Sequence, residues 1–261
     1  MSEPALVSSR DNPLLVRLRK LAQDGGAYRK LGSVWLEGEH LCDALRARGR
    51  PAAQAVIAQS AWSDEPRLRA LAQWAAKVTV VADAQFKAIS GLESPARIGF
   101  VLDAPAPAEV DAHAATVVLD RLQDAGNVGS ILRSAAALGF TQVLALKGTA
   151  ALWSPKVLRA GMGAHFALRL VESLDDAALD ALQMPLLATS SHAGQTLREA
   201  DLPQPCAWVL GHEGQGVSAA LKGRCALQVR IPQPGGEESL NVAAAAAICL
   251  YESASRSSGR A

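Results

Sequence analysis

Neither sign of charge is in excess in these 261 residues: 26 Lys and Arg stand against 25 Asp and Glu, a formal net charge of +1. General affinity for polyanions is not expected from that balance, so any nucleic-acid binding needs a local basic patch. Cysteine is scarce and scattered, at Cys42, Cys206, Cys225 and Cys249. No C-x-x-C pair and no histidine at ligand spacing accompanies it, which argues against a zinc site and a disulfide framework. Reduced, mostly buried thiols in a cytoplasmic protein are the expectation. The first ten residues contain no apolar stretch of signal-peptide type, and no run approaches the ~20 apolar residues of a membrane span. Two nucleotide signatures are missing as well. No G-x-x-x-x-G-K-[ST] is present, and no strand leads into G-x-G-x-x-G, so P-loop and Rossmann sites are disfavoured.

What is present fits a soluble globular chain, with 49% hydrophobic and 20% charged residues. The length suits one large domain or two ordinary ones. The stretch Ile231-Pro-Gln-Pro-Gly-Gly-Glu-Glu-Ser-Leu-Asn241 opens onto an alanine-rich helix ending near Tyr251. The first backbone N–H groups of a helix lack partners and create a positive terminus. Glu237 and Glu238 suit that terminus, and Ser239 and Asn241 are short polar types that bond backbone or ligand there. By itself the stretch reads equally as a capped core helix or as the floor of a ligand site.

Taken in order, the chain first shows an amphipathic helix over Asn12–Leu21, its basic residues forming with Arg10 the densest positive region. Arg10, Arg17, Arg19 and Lys20 are candidate RNA contacts, with a solvated helix face as the alternative reading. Strands are expected at Ser33–Glu37, Ala53–Ala58, Val78–Val81 and Arg97–Leu102, alternating with helices at Gly38–Arg48, Asp64–Ala76 and Asp83–Ile89. That alternation indicates a small α/β domain over residues 1–102. A Pro- and Ala-rich linker, 103–112, separates it from a second domain, 113–261.

In the second domain, strands are expected at Ala115–Leu119, Thr141–Leu146, Phe166–Val171, Pro185–Thr189, Ala207–Leu210 and Cys225–Ile231. Helices are expected at Val128–Leu138, from Ser154-Pro155 to Gly161, and at Leu174–Leu182. Three glycine-containing loops follow apolar strands: Asp120–Gly129, Gly211–Gly216 and Ile231–Asn241. Such loops at strand ends point to one concave site built largely from backbone groups.

The ordered segments Asp124-Ala-Gly-Asn-Val-Gly-Ser-Ile-Leu-Arg133, Val209-Leu-Gly-His-Glu-Gly-Gln-Gly216 and Ile231 to Asn241 closely resemble the three motifs of the SpoU/TrmH branch of the SPOUT methyltransferases. The resemblance covers about Ala115 to Tyr251. It implies methylation of a ribose 2′-hydroxyl in RNA from S-adenosyl-L-methionine, on an α/β domain with a C-terminal trefoil knot. It also implies a homodimer; that no metal and no membrane are involved is expected from the cysteine spacing and the lack of a long apolar run. Ser9-Arg-Asp-Asn-Pro13 and Leu36-Glu-Gly-Glu-His40 are similar, more loosely, to the family's L30e-like substrate-binding domain, which favours structured RNA, rRNA before tRNA. A non-catalytic RNA-binding or ribosome-assembly protein of the same fold is the competing reading.

Carried over by position, Gly211, Ile231 and Leu240 are the implied cofactor contacts, with Thr189 and Ser190 as further candidates. Asn127, Arg133, Glu213, Ser239 and Asn241 are the implied polar active-site set. One departure stands at Gly161, where relatives commonly have serine. Holding two reactants in line can lower a barrier by ~7–11 kcal/mol, so positioning is the largest contribution expected. A guanidinium, with a reference pKa above ~12, is a poor base, so Arg133 reads as a phosphate clamp and electrostatic stabiliser and the base is left open. Asn127 is expected to orient the ribose or Arg133, and Glu213 to fix loop or arginine geometry. His165, His192 and His212 are not expected to be catalytic. The five tryptophans are expected in the core.

Overall fold

The computed structural model describes residues 4, 6–91, 94–235 and 239–258, and the side chains among them to residue 256. Glu237 and Glu238, expected at a helix terminus, lie outside the described residues. Contacts divide the chain into two compact units, one of residues 1–106 with 153–166, the other of residues 107–152 with 167–261.

In the first unit, β1 (Leu6–Val7), β2 (Ser33–Glu37), β3 (Gln54–Ala58), β4 (Val78–Val81) and β5 (Ile98–Asp103) form one mixed sheet in the order β1-β4-β3-β5-β2. β3 runs parallel to β4 and antiparallel to β5. The helices are α1 (Pro13–Gln23), α2 (Ala27–Leu31), α3 (Glu39–Ala47), α4 (Gln59–Asp64), α5 (Pro66–Ala72) and α6 (Asp83–Ile89). Asn12 caps α1, its side chain accepting from the Leu14 N–H at 3.0 Å, and Pro13 opens the first turn, where its missing donor costs nothing. Leu15, Leu18 and Leu21 of α1 are buried. The helix expected over Asp64–Ala76 is shorter, Pro66–Ala72, with Pro66 at its first position where a missing donor costs nothing, and α4, Gln59–Asp64, precedes it unexpected from the sequence. Gly99 packs against Trp35: a Cβ there would lie 2.1 Å from the indole.

The second unit holds β6 (Thr116–Asp120), β7 (Gln142–Leu146), β8 (Arg169–Leu174), β9 (Leu186–Thr189), β10 (Ala207–Gly211) and β11 (Leu227–Val229). They make an all-parallel sheet in the order β11-β9-β10-β6-β7-β8. Its central strands are buried on both faces, as near-continuous apolar runs such as Val117-Val-Leu require. The chain passes through α7 (Ala125–Ala137) between β6 and β7, and through α8 (Pro155–Gly161) between β7 and β8. It then forms α9 (Ala219–Arg224) and ends in α10 (Val242–Ser258). α10 packs on α7 and on β10, where Trp208 Nε1 donates to Ser253 Oγ at 2.9 Å.

Residues 153–166, placed by the sequence reading in the second domain, pack with the first unit; α8 buries Val157 and Leu158 and contacts α1 and β2. The strand expected from Phe166 starts only at Arg169. Met162 and Gly163, at φ of 49° and 88°, end α8 with a left-handed turn, and a short 3-10 helix, Ala164–Ala167, follows. α7 begins at Ala125, three residues before its expected start, because Asp124 caps it by accepting from the Asn127 N–H at 2.7 Å. Trp74 departs from the core expectation and is 46% exposed.

Candidate functional site

The carboxyl ends of β6 and β10 are neighbours in register, Gly211 paired with Asp120. The loops that leave them therefore emerge side by side, and β11 delivers the third loop two strands away. Asp120, only 2% exposed, ties the first two loops together. It accepts from Arg121 Nε at 2.8 Å and from the Ser218 N–H at 2.7 Å, while Arg121 Nη1 donates to Gln215 Oε1 at 3.1 Å. Arg121 adopts φ 58°, a left-handed conformation disfavoured for a side-chain-bearing residue. Neither Asp120 nor Arg121 was singled out from the sequence, although a lone carboxylate ending an apolar strand is the signal that could have found them.

Glu213 crosses from the second loop to the first. Its carboxylate accepts from the N–H groups of Gln123 and Asp124 at 3.3 and 3.1 Å and from Asn127 Nδ2 at 3.3 Å. Burial works against its charged form, but its own backbone N–H, those of Asp124 and Gln123, and the Asn127 amide outweigh it and hold its pKa below the ordinary glutamate value. Glu213 is thus a fixed anion that organises loops.

Asn127 in turn accepts from Asn241 Nδ2 at 3.0 Å. Asn241 Oδ1 accepts from the N–H groups of Ala243 and Ala244 at 2.9 and 3.2 Å, so the same amide caps α10 and reaches the first loop. Glu213, Asn127 and Asn241 form one hydrogen-bonded series across all three loops. Asn127, expected to orient the ribose or Arg133, is itself held by Glu213 and Asn241. Arg133 sits on the exposed outer side of α7, with no side-chain hydrogen bond or ion pair among the described residues.

Beside this series lies a cavity of about 380 Å³. Thr189, Ser190, Gly211, Ile231 and Leu240, the five cofactor candidates, all line it, together with Glu213 and Ser239. Asn127, Arg133 and Asn241 are not in its wall. Gly211 is required there because a Cβ would lie 2.0 Å from the Val217 nitrogen, so the backbone of residues 216–217 closes directly over it. Gln233, outside the expected set of cofactor contacts, also lines the cavity, and its side-chain oxygen is buried without a hydrogen-bond partner among the described residues. A buried orphan acceptor is costly, and a ligand amino group would satisfy it. Size, backbone-lined walls and this acceptor fit a nucleoside cofactor carrying amino groups. His212 is occupied locally, its Nδ1 accepting from the Gly214 N–H at 3.0 Å. No group of metal-ligating side chains occurs among the described residues.

Arg17 is turned inward, donating to the Leu31 carbonyl at 3.2 Å and to Ser33 Oγ, and Arg19 donates to the Arg10 carbonyl at 2.7 Å. Two of the four candidate RNA contacts thus spend donors on the fold itself, while Arg10 and Lys20 are exposed. The departure at Gly161 has a steric cause. A Cβ there would stand 2.5 Å from the ring of buried His165, which packs on Trp153 at 5.1 Å between centroids.

Residues 114–251 match the family model described as SpoU rRNA Methylase family. An uncharacterized tRNA/rRNA methyltransferase of Synechocystis sp. is 35% identical over 265 residues, covering 96% of this chain and 94% of the relative. The Bacillus subtilis 23S rRNA (guanosine(2553)-2′-O)-methyltransferase RlmP is 30% identical over 226 residues, covering 85% and 88%. Among solved structures, the AdoMet-bound rRNA methyltransferase from Sinorhizobium meliloti superposes with a TM-score of 0.83 at 25% identity, covering 98% of this chain and 99% of that one.

Proposed function

The chain belongs to the SpoU rRNA methylase family, and we propose from the geometry of its site how it acts as an S-adenosylmethionine-dependent RNA 2′-O-ribose methyltransferase, with ribosomal RNA as substrate. The observation that carries the reading is the hydrogen-bonded series Glu213, Asn127, Asn241 standing beside a cavity lined by every cofactor candidate. The residues that would hold the cofactor are Gly211, Ile231 and Leu240, with Thr189 and Ser190 also lining the cavity and Gln233 offering an acceptor to an amino group. When bound, S-adenosylmethionine supplies an electrophilic methyl group. Everything else is positioning by the chain. Asp120 and Arg121 lock the first two loops, Glu213 holds Asn127, and Asn241 fixes the entry of α10. Arg133, exposed and unpaired, is available to clamp an RNA phosphate. Glu213 is unsuited to take the ribose proton, since its donors favour the ionised form and lower its basicity.

The loops after β9, β10 and β11 are the place for the family's trefoil knot, a reading supported by the segment 190–197 running beside 229–230. The homodimer is supported by α10, which leaves Ile248 40% and Tyr251 64% exposed on one face, one turn apart. A sedimentation measurement giving only monomer at micromolar concentration would remove that element. The first unit is assigned to RNA binding and the second to catalysis. Four free cysteines and an RNA substrate support a cytoplasmic setting. The test of the whole reading is transfer of labelled methyl groups from S-adenosylmethionine to unmodified rRNA, with the label recovered on ribose.

A further inference from the structure

A second cavity, about 390 Å³, lies within the first unit, where nothing so far assigns a ligand. Its walls combine apolar and charged groups. Leu41 and Leu68 are buried apolar side chains, Met162 is 42% exposed on the rim, and the charged lining is Glu37, Glu39, Arg97 and Arg159. Glu37 is only 7% exposed, yet its carboxyl is incompletely used: it accepts from the Ser90 hydroxyl and, at 3.1 Å, from the Gly91 N–H. Four lone-pair sites leave room for further donors.

Arg159 is half-buried and has no hydrogen bond or ion pair for its guanidinium among the described residues. The other cations nearby are committed elsewhere, Arg97 to Glu65 and Arg67 to Glu39 and Asp43. A Cβ at Gly91 would lie 3.6 Å from Arg159 Nη1 and 3.7 Å from Glu37 Oε2, so both groups face one small volume without bonding each other. A half-buried cation without an anion, opposite an acceptor-rich carboxyl, is an arrangement that a bound group would complete.

We propose that this cavity receives an unstacked guanine nucleotide of the RNA. Guanine carries both patterns on adjacent edges: the N7 and O6 acceptors that a guanidinium grips with two bonds, and the N1–H and N2–H donors that a carboxylate accepts. Adenine offers an amino donor but lacks paired acceptors for arginine, and unpaired cytosine, whose N3 and O2 can accept from arginine, offers the carboxylate only its single N4 amino group. Apolar side chains and the Met162 thioether suit the ring faces, and splayed-out bases are the usual way a protein reads RNA sequence. The cavity volume falls in the range of small-ligand sites. The site would add sequence reading to the first unit, which phosphate contacts alone do not supply.

The inference rests on RNA being the substrate and is tested apart from it. Full-length protein saturated with S-adenosylmethionine, so that the cofactor cavity is filled, is titrated with GMP, IMP and AMP while methyl resonances of Leu41, Leu68 and Met162 are followed. GMP shifts those methyls at low millimolar concentration, IMP binds more weakly for want of the 2-amino group, and AMP is weaker than GMP by about tenfold or more. Arg159→Ala weakens GMP by a similar factor and leaves S-adenosylmethionine affinity unchanged; Arg159→Lys, which cannot form the two-bond contact, behaves like it. Absence of shifts with GMP, equal response to GMP and AMP, or full GMP affinity in Arg159→Ala each overturns the proposal, while methyl transfer to rRNA would stand regardless.

Discussion

The Asn241 side-chain amide donates to Asn127 Oδ1 at 3.0 Å across 114 residues of sequence, joining the cap of the last helix to the first turn of α7. Because Asn127 also donates to Glu213, removing either asparagine loosens three loops at once. Asn127→Ala and Asn241→Ala each lower kcat on rRNA about a hundredfold, with S-adenosylmethionine affinity changed only a few fold. In a double-mutant cycle on unfolding free energy the two are coupled by about 0.5–1.5 kcal/mol. Additive effects would dissolve the series into independent caps.

Glu213 sets a pH dependence. Its folded pKa lies below the unfolded glutamate value, near 4.3, so its contribution to stability is fully present above that value and is lost as pH falls through the folded pKa. Urea denaturation of wild type and Glu213→Gln gives a difference that is flat from about pH 6 to 8 and shrinks only below about pH 4.5. A difference that grows on acidification would reverse the assignment.

Gly211 admits no side chain. Its Cβ would meet the backbone at residues 216–217, and backbone cannot rotate away. Gly211→Ala therefore displaces the second loop, and isothermal titration shows S-adenosylmethionine binding weakened by about a hundredfold or lost, with far-UV circular dichroism retained. Wild-type affinity in that variant would contradict the packing.

Gly161 is matched to His165. Gly161→Ser drives the hydroxymethyl group into a buried imidazole and destabilises the protein by about 1–3 kcal/mol, measured by chemical denaturation. Pairing it with His165→Ala recovers part of that loss. The sequence shows the serine missing; only the three-dimensional neighbour explains why glycine is kept.

A truncation beginning at residue 107 strips α8 of its partners, leaving Val157 and Leu158, now buried, against solvent. Such a fragment aggregates unless both are replaced by polar residues, which light scattering would report. A soluble, monodisperse 107–261 fragment would contradict the packing of α8.

Periodicity made most of the sheet strands legible, since β2 and β4 fall on the expected residues and buried parallel strands such as β6 and β7 are short apolar runs bounded by polar loops. The ends of elements were less legible where a single side chain decides them. Asp124 starts α7 three residues before apolar periodicity becomes visible, and Pro66 opens α5 two residues after the expected start. α8 shows the limit most clearly: Ser154-Pro155 gave its start, but nothing local says which sheet it packs on. In the site, motif residues gave the membership of Glu213, Asn127 and Asn241, and their mutual hydrogen bonds required coordinates. Gln233 was hidden because its role follows from burial in the cavity, whereas Asp120, a lone carboxylate ending an apolar strand, carried a signal, and only the contacts it makes with Arg121 and Ser218 required coordinates.

Arg133 has no partner within its own chain among the described residues, consistent with a partner supplied by RNA. Arg133→Ala lowers turnover on rRNA by about a hundredfold and leaves S-adenosylmethionine binding within a few fold. Unchanged turnover would remove its role as phosphate clamp.

The most direct measurement maps 2′-O-methylation across total RNA from cells with and without this protein, followed by restoration in vitro with the purified enzyme and S-adenosylmethionine. The account predicts a ribose methylation on rRNA that disappears with the protein and returns on its addition, and fails to return with Asn127→Ala. An unchanged rRNA ribose map, or a methyl group recovered on a base, would contradict it.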